Sequence, residues 1–265
     1  MPVPVQVFAD VDDLGAAAAD LVLGLLAQQP AGAPFLLGCP GGRSLQSTYA
    51  HLAERAAAAR VDLRGLRVVM MDEYVERDPA GGWTPVDPAL PHSCRRFGAR
   101  EIVGRINTAL IDGGIDPQRL VPPTSLWVPD PADPAAYDGL IEAAGGIDLF
   151  LLASGASDGH IAFNPPGTAP TARTRMVELP ESTRRDNLAT FPSFGGDLDA
   201  VPSHGVTVGV ATIREQSKAV LMVVHGTDKQ RAADRLTRAS TYEPDWPATV
   251  LADCRSPQLF VAALR

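Results

Sequence analysis

The chain has 265 residues, 45% of them apolar, enough for one large core or two modest ones. Its 23 basic and 31 acidic residues leave a net charge of −8, so a phosphate-tracking surface, and with it a nucleic-acid partner, is not expected. No apolar run approaches bilayer-spanning length, and "MPVPVQVFAD" has no basic region leading into an apolar stretch; the expectation is a cytoplasmic protein with no membrane partner.

In chain order, "VPVQVF" predicts a short strand and "VDDLGAAAADLVLGLLAQQ" an Ala/Leu-rich helix with its acidic residues near the start, where the helix dipole favours them. "PFLLG" is a buried strand that runs through the Gly-rich turn "CPGGRS" into the helix "LQSTYAHLAERAAAA". "LRVVMM" is the next strand and stops at "DEY". "PAAYDGLIEAAG" is helical, and the strand "IDLFLLA" follows, ending in "SGASDGHIAFNPPG". After a short helix "ESTRRDNLA" come the strands "GVTVGV" and "AVLMVV", the helix "GTDKQRAADRLTRA" and a last strand "QLFVAAL". Strands alternating with helices predict an α/β fold, a mostly parallel sheet with helices on both faces, in a single domain over 1–265. Segments 78–91 and 192–204 read as long loops, the first a candidate lid.

Three scattered cysteines (Cys39, Cys94, Cys254) without a CxxC predict reduced thiols, and five histidines without HxxxH or HExxH give no support for a metal site. In an open parallel sheet, ligands bind beyond the carboxyl ends of the strands. Four polar clusters fall at such ends: "CPGGRS", "MDEYV", "SGASDGH" and "HGTDK". The turn Gly41-Gly42-Arg43-Ser44 presents backbone amides and a helix start to an anion, or is an ordinary tight strand-to-helix connection. Asp72 and Glu73 point to opposite sides of an extended chain, so that one faces the cleft as a general base while the other faces solvent; a helix or turn cap is the alternative use. Asp158 and His160 can lie on one side of their loop, where a carboxylate sets the imidazole's tautomer and suits it to shuttle a proton. Lys229, one of only two lysines, opens a helix whose dipole opposes it; a bound anion would explain the placement, a solvated lysine is the alternative.

Together "MDEYV", "DGHIAFN", "RTR", "VTVGV" and the Lys229 helix resemble the glucosamine-6-phosphate deaminase and 6-phosphogluconolactonase family, in order and spacing over nearly the whole chain. "DGHIAFN" with "MDEYV" leans to the deaminase branch, since lactonases carry Thr-Ala-Ser after the histidine. The resemblance implies a Rossmann-like fold of the sugar-phosphate isomerase and CoA-transferase kind, with no metal and no cofactor. It implies an enzyme of the hydrolase class that takes an aldosamine phosphate to a ketose phosphate and ammonia, its partner being a small sugar phosphate and a homo-oligomer being compatible. By residue, it makes Asp72 the base that moves a proton between C2 and C1, His160 with Asp158 the ring-opening pair, and Gly41, Gly42, Arg43, Ser44 and Lys229 the phosphate grip.

Several positions depart from the family. The Glu that completes the histidine relay is Pro165, and the phosphate-gripping arginine after the short helix is Ala189 by ungapped count. The loop that usually reads Thr-Gly-Gly-Thr-Pro carries Arg43, placed to replace that guanidinium or simply solvated. Arg175 keeps its place, but the effector lysine of some regulated deaminases is Val177. A lactonase-type hydrolase needs no Glu at 165, but the arginine it carries before "VTVGV" is Gly205; a non-catalytic sugar-phosphate sensor would have little use for Asp72, Asp158 and His160.

Overall fold

Leucine and β-branched runs become strands, and Ala-rich amphipathic runs become the helices that cover them, in a computed structural model that describes residues 3–30 and 33–263. The chain begins with β1 (Val5–Phe8), α1 (Val11–Ala27), β2 (Phe35–Cys39), α2 (Gln46–Ala58) and β3 (Leu66–Met70). Next come β4 (Asp72–Arg77), β5 (Trp83–Pro85), α3 (Cys94–Phe97), a π-helical stretch Gly98–Gly104 and α4 (Arg105–Asp112). The middle holds β6 (Leu126–Trp127), α5 (Pro134–Ala143), β7 (Leu149–Ala153), β8 (Arg175–Glu178) and α6 (Glu181–Thr190). The remainder is β9 (His204–Thr207), α7 (Val210–Gln216), β10 (Val220–His225), α8 (Gln230–Arg238) and β11 (Pro257–Ala262).

Seven strands form an all-parallel sheet in the order β1-β11-β10-β7-β2-β3-β6. Alternate residues serve its two faces, as the pleat requires. Leu37, Val68, Leu149 and Leu151 pack with Leu14, Val22, Tyr49, Leu52, Ile106 and Leu110 of α1, α2 and α4. Leu36, Val69, Phe150 and Leu152 pack with Tyr137, Ile141, Ile213 and Leu236 of α5, α7 and α8. The α/β architecture with helices on both faces is therefore the observed one. Among the described residues, no helix is long and apolar enough to cross a membrane.

Three expectations are corrected. The chain does not end its extended run at "DEY": with only Met71 between, it leaves β3 and continues as β4 in a second, four-stranded antiparallel sheet, order β5-β4-β9-β8. "GVTVGV" supplies β9 of that sheet rather than a strand of the parallel one, because its buried apolar residues fit either environment. The first part of the candidate lid over 78–91 folds back as the β4–β5 hairpin, with Val86 N–H on the Tyr74 carbonyl, and none of the segment lines the cavity that holds Asp72 and His160. The region 94–112, to which the chain-order reading assigns no element, is helical throughout.

Candidate active site

The strands β10, β7, β2 and β3 are neighbours, so the four polar clusters at their carboxyl ends meet. They line one cavity of about 250 Å³, to which Gly41, Gly42, Arg43, Ser44, Asp72, His160 and Lys229 all contribute. Asp158 stands behind His160 rather than in the wall.

Asp72 opens β4 at the fork between the two sheets and is only 6% exposed. Burial, opposed by a hydrogen bond from the Cys94 thiol and assisted by the charge of Glu73, raises its carboxyl to about 7. The thiol lies 3.3 Å from Oδ1. Glu73 does turn to the opposite side, but not to solvent: it is fully buried. Its carboxylate accepts from the amides of Cys94 and Arg95, each at 2.8 Å, and from Ser93 Oγ at 3.0 Å. It thereby satisfies the orphan amides at the start of α3, the capping use that the sequence left open.

His160 Nδ1 is 2.7 Å from Asp158 Oδ1, and the second oxygen of Asp158 accepts from Ser182 at 2.8 Å and Thr183 at 3.1 Å, both on α6. Burial works against the charge of Asp158, yet the hydrogen bonds from His160 and Ser182 outweigh it and hold the carboxyl below the usual range. An ionised carboxylate on Nδ1 fixes the proton there and leaves Nε2 as the working nitrogen. Gly159 between the two residues has φ +69°, and a Cβ on it would sit 2.2 Å from the Trp246 ring, so this tight turn needs glycine.

At the other end of the cavity, α2 starts without a capping side chain, next to the Gly41–Ser44 turn. His225 Nε2 lies 2.9 Å from the Ser44 carbonyl and ties that turn to the end of β10. Lys229 is buried rather than solvated, and its ammonium donates to the Ser154 carbonyl. Burial pushes it below the ordinary lysine range. Arg43 is half exposed and is paired with Asp228, which also lines the cavity.

Sequence reasoning missed the wall that α6 supplies: Asp186, Asn187, Thr190 and Phe191 at its carboxyl-terminal end. Asp186 Oδ2 is 3.9 Å from His160 Nδ1 and accepts from Ala156 N–H at 3.1 Å. It is this second carboxylate, not position 165, that flanks the imidazole; Pro165 lies outside the cavity wall. A signal was present in the spacing of Thr183, Asn187 and Thr190, a polar stripe at helical period on a helix with almost no apolar face. The Tyr74 hydroxyl and Asn187 Nδ2 are buried in the wall without a partner. The side chain of Ala189 lies outside the described residues, and Arg175 is directed at Asn164 Oδ1, 2.8 Å away, outside the cavity. Asp158, His160 and Asp186 have ligand-type atoms within 4.8 Å of one another, but each carboxylate already accepts protein hydrogen bonds. All three cysteines are free and buried.

The fold is that of solved sugar-phosphate enzymes. A monomeric glucosamine-6-phosphate deaminase superposes with a TM-score of 0.77 at 24% identity, covering 98% of each chain. The 6-phosphogluconolactonase of Thermotoga maritima gives 0.64 at 18% identity, covering 98% of this chain and 99% of its own. In sequence, the glucosamine-6-phosphate deaminase of Beutenbergia cavernae is 37% identical over 93% of this chain and 85% of its own length. The enzyme of the same name from Mycolicibacterium smegmatis is 35% identical over the same shares, and the glucosamine-6-phosphate isomerase of Candida albicans is 30% identical over 93% and 91%. No protein-family profile matches the chain. The chain belongs to the glucosamine-6-phosphate deaminase family.

Proposed function

We propose that the protein is a sugar-phosphate deaminase that converts an aldosamine 6-phosphate to the ketose 6-phosphate and ammonia. The observation that carries this reading is the presence, in one cavity, of a buried carboxylate at Asp72 and a carboxylate-held imidazole at His160. Aldose-to-ketose conversion needs those two functions: one group for the ring oxygen and anomeric hydroxyl, another for carbon-acid chemistry. His160 moves the proton that opens the ring. Asp72 takes the proton from C2 of the open-chain aldosamine and returns it to C1, which leaves an imine at C2; water adds there and ammonia departs. With a carboxyl near 7, Asp72 is ionised often enough to accept the proton and basic enough to hold it.

Lys229 and the uncapped start of α2, with the Gly41, Gly42, Arg43 and Ser44 turn, hold the phosphate in this reading. Asp158 orients His160, and Asp186 fixes the loop before it. The test is a panel of glucosamine 6-phosphate, glucosamine and 6-phosphogluconolactone. Ammonia and fructose 6-phosphate released in equal amounts from the first substrate are expected. Lactone hydrolysis without ammonia release from any amino sugar would overturn the reading.

A further inference from the structure

Among the described residues, one side-chain donor reaches the Asp72 carboxylate: the thiol of Cys94, 3.3 Å from Oδ1. Cys94 is 5% exposed and forms part of the same cavity wall. Its position is over-determined. Glu73, next in sequence to Asp72, grips the start of α3 through Ser93 Oγ and the amides of Cys94 and Arg95, so the first residue of that helix cannot drift from the base. Burial and the two neighbouring carboxylates push the Cys94 thiol well above its ordinary range, so it stays protonated and can only donate.

We propose that Cys94 is a positioning residue for Asp72, its S–H proton orienting the carboxylate that takes the C2 proton. This rests on the deaminase reading for its chemistry, but not for its geometry. A hydrogen bond to the charged form of a carboxyl favours that form, so the thiol offsets part of the penalty of burial. The other titratable groups around Asp72 are Glu73 and Tyr74 on β4, Tyr49 on α2, Tyr137 on α5 and His160 after β7. Tyr49 and Tyr137 donate their hydroxyl protons to the carbonyls of Pro40 and Met70, at 2.9 and 2.7 Å. Glu73 charge raises the Asp72 carboxyl and His160 lowers it, and neither is removed by a change at Cys94.

The experiment compares wild type, Cys94→Ala and Cys94→Ser. In Cys94→Ala the acid limb of the kcat/KM profile is expected to move up by about one pH unit, with the high-pH plateau falling less. Cys94→Ser keeps a donor and is expected to hold the limb at or below its wild-type position. A ¹³C NMR titration of the Asp carboxyls, with Asp72→Asn identifying the signal, should show the same displacement without any turnover. Should wild type fail to deaminate an amino-sugar phosphate, the deaminase reading falls while this titration still decides the role of Cys94. An unmoved Asp72 titration in Cys94→Ala, or equal losses in both variants at every pH, would overturn the inference and leave Cys94 a packing residue.

Discussion

A buried carboxylate without a cation bonded to it is stable only if it can spend time protonated, and Asp72 is such a group. Its carboxyl is raised to about 7 from 3.8, so the folded chain holds this proton more tightly than the unfolded one. The sign follows: the favourable contribution is complete below about 4 and is lost as pH rises through about 7. Asp72→Asn removes the ionisation while keeping the shape. The variant is expected to lose turnover yet melt above wild type at pH 8, the gap opening between about pH 4 and 7 and reaching at most ~4 kcal/mol. Thermal melts of both proteins across that range check it; a gap of constant size would mean that Asp72 is not the titrating group. Asp72, Asp158 and His160 were legible because each sits at the end of a buried strand. The work of Glu73 was not, since an Asp-Glu pair does not say which helix start will be brought to the second carboxylate.

Helix ends build the anion-binding part of the proposed site, and their two cations differ in surroundings. Lys229 is 9% exposed, whereas Arg43 is half exposed and already paired with Asp228. A desolvated ammonium makes a stronger charge-assisted bond than a solvent-screened, neutralised guanidinium. Lys229→Ala is expected to raise KM for the phosphorylated substrate roughly ten- to a hundredfold, from a loss of about 1.5–3 kcal/mol. Arg43→Ala is expected to raise it only about two- to fivefold, the range of an exposed pair. Steady-state KM values decide; a loss for Arg43 equal to or larger than that for Lys229 would restore Arg43 as the replacement for the guanidinium absent at position 189. The polar clusters at the strand ends announced these ends, and α6 was legible as a helix, but its place in the wall and the helical region 94–112 were not. Helix 94–112 passes into π-helical geometry at Gly98, where a Cβ would lie 2.6 Å from the Leu126 side chain, so the apolar spacing of this stretch does not follow the α-helical period. Polar α6 serves Asp158 with the hydroxyl donors of Ser182 and Thr183 and the histidine loop with the Asp186 carboxylate, which accepts from Ser157, pairings set by tertiary structure that hydropathy does not register.

At the scale of the molecule, the parallel sheet delivers four loops to one end, while the antiparallel sheet decides which side chains face the cavity. The chain changes sheets at Met71, whose amide still bonds to Cys39 of β2 while its carbonyl receives Val208, just after β9. Asp72 therefore stands where the two sheets part, paired in register with Thr207. The α/β class and the strand ends could be read from hydrophobic runs. The second sheet could not, because period and apolarity do not reveal which partner a buried strand will choose. That fork gives one carboxylate the burial of a core residue and the access of a cavity residue, the combination that suits it to carbon-acid chemistry. The most direct measurement is ¹H NMR of amino-sugar phosphate turnover in D₂O, following the C2 proton of the substrate and the C1 protons of the ketose. Wild type should exchange C2 hydrogen with solvent or carry it to C1 during ammonia release, and Asp72→Asn, folded and still binding phosphate, should do neither. Exchange at C2 that persists in Asp72→Asn would remove Asp72 from the role of carbon-acid base.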